Sequence, residues 1–244
     1  MHSLAGKRAL ITGGATGIGW GIAAALASAG CQVAITGRRE DKLREAASTW
    51  AGESRMLTHG VDVANRESVK ELFDWAARDF GPLDILVCSA GMNIKNRMLH
   101  EMRPEQWDEV MAVNATGVYN CLYYGLPQMR ERKDGIVFIV SSVSGKRAAP
   151  LGGVAYNASK FAATGLGVSA WSEESANGIR ITNVYPGEVD TPILEHRPQP
   201  VSAKRRATML RPEDIGAMVA AIAQLPPHAH VPELVIKPTV QAYV

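Results

Sequence analysis

Tyr156 and Lys160 stand at an i, i+4 offset, which on a helix sets both side chains on one face about a turn apart. Such a pair can run proton transfer. A free phenol loses its proton near pH ~10, so work near neutrality needs the phenolate favoured by about 4 kcal/mol, and a neighbouring ammonium acts in that direction. Tyrosine and lysine share many solvated helix faces, so the pair needs company. It has some: the apolar run 136–140 ends in Ser141, Ser142, Val143, Ser144 and Gly145. A serine hydroxyl at the carboxyl end of a strand faces the ligand crevice and can donate to a substrate oxygen.

A second cluster points to a nucleotide. Thr12, Gly13, Gly14, Ala15, Thr16, Gly17, Ile18 and Gly19 lie between an apolar run and an alanine-rich stretch of helical period. Glycines at 13, 17 and 19 serve a tight turn, a close backbone approach to pyrophosphate and close helix-on-strand packing, with the helix N-terminus facing the phosphates. About 20 residues on, where an NAD site carries an acid, stand Arg38 and Arg39. Arginine there suits a 2′-phosphate by charge and by its planar fork. NADP(H) is therefore favoured, with NAD(H) the alternative and solvated charges at a helix start the plain one.

The elements that must hold these groups alternate. Strands are expected over 8–12, 32–36, 56–60, 85–88, 136–140, 180–185 and 233–237. Helices are expected over 17–29, 39–51, 66–79 and 105–128, after Tyr156, and after Pro212. That rhythm predicts an α/β Rossmann fold, a doubly wound parallel sheet with helices on both faces, as one catalytic domain over 1–244. The proline-broken stretch 191–211 reads as a mobile loop at the sheet's carboxyl edge, a substrate lid. Its Lys204, Arg205 and Arg206 read as a solvated run or as a lure for an acidic substrate.

Composition narrows the class. The chain of 244 residues is 46% hydrophobic and 20% charged, with net charge +2, values of a globular protein without nucleic acid or anionic membrane as partner. Cys31, Cys88 and Cys121 form no paired framework, no apolar run is long enough to span a bilayer, and the N-terminal residues do not resemble a secretion leader, so a cytoplasmic protein is expected. His228 and His230 lack further ligands, and no metal site is assigned.

The glycine turn, the Ser-Ser-Val-Ser-Gly run, Tyr-x-x-x-Lys, Pro186-Gly187 with Thr191, and 211–215 together resemble the classical short-chain dehydrogenase/reductase family over essentially the whole chain. The resemblance implies that Tyr156 is the general acid/base, that Ser142 orients the substrate oxygen, and that Lys160 binds the nicotinamide ribose and lowers the tyrosine pKa. It implies that Asn114 holds a water of a proton relay, that Asp62 and Val63 meet the adenine, and that Pro186, Gly187, Val189 and Thr191 flank the nicotinamide. Asn114 alone reads as a helix residue bonding to nearby backbone. Three positions depart from the family pattern. Cys88, Ser89, Ala90 and Gly91 replace an Asn-Asn-Ala-Gly wall, leaving backbone contacts from Ala90 and Gly91; Thr16 replaces a basic residue; and the serine-to-tyrosine spacing is one residue longer, an insertion expected near 148–153. The function implied is hydride exchange between NADP(H) and a small carbonyl or alcohol by a homo-oligomer, tetramer or dimer. The alternatives are an NAD-dependent dehydrogenase of the same family and a non-catalytic NADP(H)-binding regulator.

Overall fold

Residues along each central strand alternate in the face they bury, and that alternation fixes the layers. In a computed structural model, which describes residues 2–52 and 55–242, the strands are β1 (Arg8–Thr12), β2 (Gln32–Gly37), β3 (Leu57–Gly60), β4 (Ile85–Cys88), β5 (Gly135–Val140), β6 (Ile179–Pro186) and β7 (Glu233–Ile236). They form one parallel sheet in the order β3-β2-β1-β4-β5-β6-β7. On one face, Ile11, Val87 and Phe138 pack with Ile22 and Leu26 of α1 (Gly17–Ser28) and with Ile215 and Val219 of α8 (Pro212–Ala223). On the other, their chain neighbours Leu10, Leu86 and Val137 pack with α3 (Arg66–Trp75), α5 (Gly117–Arg132) and α6 (Val154–Glu174), through Leu72, Cys121 and Ala163. The sheet is doubly wound, as the alternation of elements predicts. Helices α2 (Glu40–Thr49), α4 (Pro104–Met111) and α7 (Ala203–Arg206) complete the regular elements among the described residues. None of the described helices is long and apolar enough to cross a membrane.

Thr12 pairs with Thr36 on one side and Cys88 on the other, so β1 and β4 end level and β2 runs one residue further. Strand order reverses between β1 and β4. Crossovers to opposite faces leave a crevice there, outside the carboxyl ends, where ligands of such folds bind.

The structure revises three local expectations. The helix expected over 105–128 is not uniform: α4 passes through a wide π-turn at Ala112–Thr116 before α5 runs on to Arg132. The helix expected after Tyr156 starts earlier, at Val154, entered from Gly153 at φ +78°. The stretch 191–211, read as a mobile loop, is instead clasped: Arg197 bonds Glu188 at 2.8 Å, Arg205 also pairs with Glu188, and Arg206 bonds Asp190 at 2.8 Å. Its charge pattern rather than its prolines decides this, because Glu188 and Asp190 leave β6 within reach.

Candidate active site

A cavity of about 890 Å³ runs across the carboxyl ends of the strands. One end is the glycine turn. Gly13 has φ +65°, and a Cβ there would come 2.8 Å from Ala90 Cα; Gly17 has φ +54°; a Cβ on Gly19 would lie 2.2 Å from Gly13 O. Only glycine lets these strands and loops approach so closely. Thr16, at the N-cap of α1, makes no side-chain capping bond, and the first turn of the helix holds no acidic residue. The free N–H groups and the positive dipole end around Gly17, Ile18 and Gly19 therefore open onto the cavity without an internal anion.

The wall formed by Ser89, Ala90 and Gly91 is held from β1. Thr12 Oγ1 accepts from Ser89 N at 3.2 Å and from Ala90 N at 3.3 Å. Arg38 and Arg39, at the end of β2, are exposed, line the cavity and pair with no carboxylate among the described residues. Glu40, next in sequence, bonds Arg44 instead. Asp62 and Val63 line the same end; Asp62 Oδ1 accepts from Ala64 N at 3.0 Å, and Val63 O accepts from Asn120 at 2.9 Å. Pro186, Gly187, Val189 and Thr191 line the opposite rim, with Gly187 N donating to Ile236 O at 2.7 Å.

At the other end sit Ser142, Tyr156 and Lys160. Ser141 also lines the cavity but turns its hydroxyl into α6, donating to Lys160 O and pairing with Thr164 Oγ1, each at 3.0 Å. Ser142, in extended conformation, accepts from Ser144 N at 3.1 Å and interacts with the Tyr156 phenol. Lys160 Nζ donates to Val140 O at 2.9 Å and lies 5.5 Å from the Tyr156 ring centroid. Burial brings the Lys160 pKa down to about 8.

The expected lysine-driven fall in the tyrosine pKa is not what this geometry produces. Burial raises the Tyr156 pKa, and the Ser142 hydroxyl and the Arg97 guanidinium pull it partly back. Lys160 directs its ammonium at a backbone carbonyl, which accounts for the difference.

Asn114 does not line the cavity. It sits in the π-turn, wholly buried, with Oδ1 accepting from Met92 N at 2.8 Å and Nδ2 donating to Met92 O at 2.9 Å and Ser159 Oγ at 3.0 Å. These are bonds across the fold rather than along its own helix. They fix the chain just past Gly91, whose missing Cβ would be 3.5 Å from both Asn114 Oδ1 and Lys160 Nζ.

Asn93 and Arg97 line the cavity without a sequence signal of their own. Asn93 donates to Gly152 O at 3.0 Å, and Arg97 donates to Leu151 O at 2.7 Å, so both brace the loop between Ser142 and Tyr156. An isolated polar residue in an aperiodic stretch announces nothing until the loop it meets is known.

Comparison with known proteins agrees with this geometry. Residues 7–201 match the model of the family described as short chain dehydrogenase. An uncharacterized oxidoreductase of Staphylococcus aureus (strain N315) is 32% identical over 238 residues, 98% of this chain and 100% of that protein. The glycine betaine reductase ATRR of Emericella nidulans is 32% identical over 241 residues, 96% of this chain, although the chain spans only 19% of that protein's length. Among solved structures, an alcohol dehydrogenase from the archaeon Thermococcus sibiricus, complexed with 5-hydroxy-NADP, superposes with TM-score 0.87 at 30% identity over 97% of this chain and 98% of that one. With a doubly wound sheet, a glycine turn at its switch point and a family match over most of its length, this chain belongs to the short chain dehydrogenase family of oxidoreductases.

Proposed function

We propose that the protein is an NADP(H)-dependent oxidoreductase interconverting a small carbonyl compound and its alcohol, with Tyr156 as general acid/base. The observation that carries this reading is a single cavity joining an anion-ready helix N-terminus and two unpaired arginines to Ser142, Tyr156 and Lys160. The residues fit a phosphorylated dinucleotide. Gly13, Thr16, Gly17, Ile18 and Gly19 would hold the pyrophosphate, Arg38 and Arg39 the 2′-phosphate, and Asp62 and Val63 the adenine. Ser89, Ala90 and Gly91 would back the ribose, and Lys160, Pro186, Gly187, Val189 and Thr191 the nicotinamide end. The 5-hydroxy-NADP complex of the Thermococcus sibiricus relative supports this choice over NAD(H).

When bound, the nicotinamide would exchange a hydride with the substrate carbon. In reduction Tyr156 gives its proton to the substrate oxygen while the Ser142 hydroxyl donates to that oxygen as negative charge develops; in oxidation Tyr156 accepts the proton. Lys160, held by Val140 O, would bond the nicotinamide ribose and supply a buried cation that favours the phenolate. Asn114 positions the Met92 backbone and Ser159 beside Lys160, where a relay water would sit. The stretch 191–211 acts as the lid of a catalytic domain spanning 1–244. The exposed Tyr119, Tyr123, Phe161, Val168 and Trp171 of α5 and α6 suit a homo-oligomer, dimer or tetramer. Its free cysteines, Cys31, Cys88 and Cys121, suit a cytoplasmic setting.

Tyr156→Phe is expected to lower kcat on a carbonyl panel by about 10²–10⁴-fold, the usual worth of general acid–base catalysis, with NADPH affinity unchanged by fluorescence titration. Retained turnover would sink the mechanism. In the same titration, Arg38→Ala should weaken NADPH by about 10–100-fold and leave NADH nearly untouched, the loss of a charge-assisted bond to the 2′-phosphate.

A further inference from the structure

The basic run 204–206 looks suited to an acidic substrate, but Lys204 is exposed and does not line the cavity, and the two arginines are already paired. Arg205 pairs with Glu188, and Arg206 bonds Asp190 at 2.8 Å. Arg197, which also lines the cavity, bonds Glu188 at 2.8 Å. Arg97 is different. It is 5% exposed, yet no carboxylate pairs with it among the described residues. Its guanidinium donates to three backbone carbonyls, Ile94 O at 2.9 Å, Leu151 O at 2.7 Å and His196 O. The charged or ionisable groups that act on it are Arg197, which repels it, and the Tyr156 phenol. Glu188 and Glu195 line the same cavity, but Glu188 is shared between Arg197 and Arg205, and Glu195 is exposed on the rim.

A buried cation without a counter-ion is costly, and carbonyl dipoles offset only part of that cost. The guanidinium has five N–H donors, three of which are engaged by the carbonyls. The planar fork matches a carboxylate better than any neutral group. The same three carbonyls belong to the loops that enclose the reacting end of the cavity, so Arg97 is held in place there before any ligand arrives.

We propose that the substrate is a small oxo or hydroxy acid whose carboxylate is bound by Arg97 while its carbonyl or hydroxyl oxygen meets Ser142 and Tyr156. This rests on the oxidoreductase reading above. It makes Arg97 a specificity-determining residue.

The test compares pyruvate, 2-oxobutyrate and acetoacetate with their ethyl esters as substrates of the NADPH-loaded enzyme. At least one acid should exceed its ester in kcat/KM by about 10–100-fold, the worth of a bond to a charged group. That ratio should collapse in Arg97→Gln, mainly through KM, and partly recover in Arg97→Lys. Parallel loss on acid and ester would mean that Arg97 only clasps the loops, and would overturn the proposal, as would esters matching acids in the unaltered enzyme. A binding measurement separates this from failure of the oxidoreductase reading. Calorimetry of the NADP⁺-loaded protein with butyrate and butyramide should show butyrate tighter, with the difference lost in Arg97→Gln. Equal affinities overturn the acid site even where ketones are reduced. Preference for butyrate without any turnover keeps the acid site and overturns the carbonyl chemistry.

Discussion

At the scale of single residues, the site shows how burial and partners redistribute roles that residue types only suggest. Lys160 is the sharpest case, because burial disfavours its charge. Its pKa falls from 10.5 to about 8, so holding it protonated near neutrality costs the folded protein about 3 kcal/mol. The sign is set by linkage: between those two values the unfolded chain binds the extra proton, so the penalty is full below pH 8 and is relieved as pH rises towards 10.5. In the cofactor-free protein, wild type should therefore gain thermal stability relative to Lys160→Met as pH is raised from 7 to 10. Parallel melting curves for the two proteins over that range would contradict it. Tyrosine, lysine and the glycines were legible because their spacing is itself the chemistry. Arg97 was not, since its significance is the absence of a carboxylate, which no linear spacing reports.

At the scale of elements, the glycine turn depends on a helix packed from behind. Helices α1 and α8 touch through backbone: a Cβ on Gly21 would lie 2.3 Å from Pro212 O, and one on Gly216 would lie 2.2 Å from Gly21 O. Gly216→Ala must push these helices apart. It should cost about 1–3 kcal/mol in urea unfolding, the usual range for overpacking, and should weaken NADPH binding because α1 carries the turn. Gly165→Ala, where a Cβ meets nothing within 4 Å, is the control and should be neutral or slightly stabilising by the helix preference of alanine. Equal stability of the two variants would contradict the packing assignment. Element types were legible from apolar period, with strands falling close to their expected bounds. The π-turn at Ala112–Thr116 was not, because the bonds that reward it come from Met92 and Ser159, remote in sequence.

At the scale of the whole molecule, α5 and α6 present Tyr119, Tyr123, Phe161, Val168 and Trp171 to solvent on the face away from the sheet. If that face is shared between copies, light scattering should give the mass of a dimer or tetramer, and Phe161→Lys with Trp171→Lys should reduce it to a monomer of unchanged circular dichroism. A monomeric wild type would refute the assembly. The sequence by itself determined the alternation of strands and helices, the doubly wound class, the glycine turn and the pairing of Tyr156 with Lys160, because these follow from period and offset along one chain. Tertiary structure alone decided that Ser141 spends its hydroxyl on α6, that Arg197, Arg205 and Arg206 are paired by Glu188 and Asp190, and that Arg97 is a buried cation with no carboxylate partner among the described residues. Those outcomes depend on which distant groups share a low-dielectric space, and electrostatics and hydrogen bonding act across that space without regard to chain order.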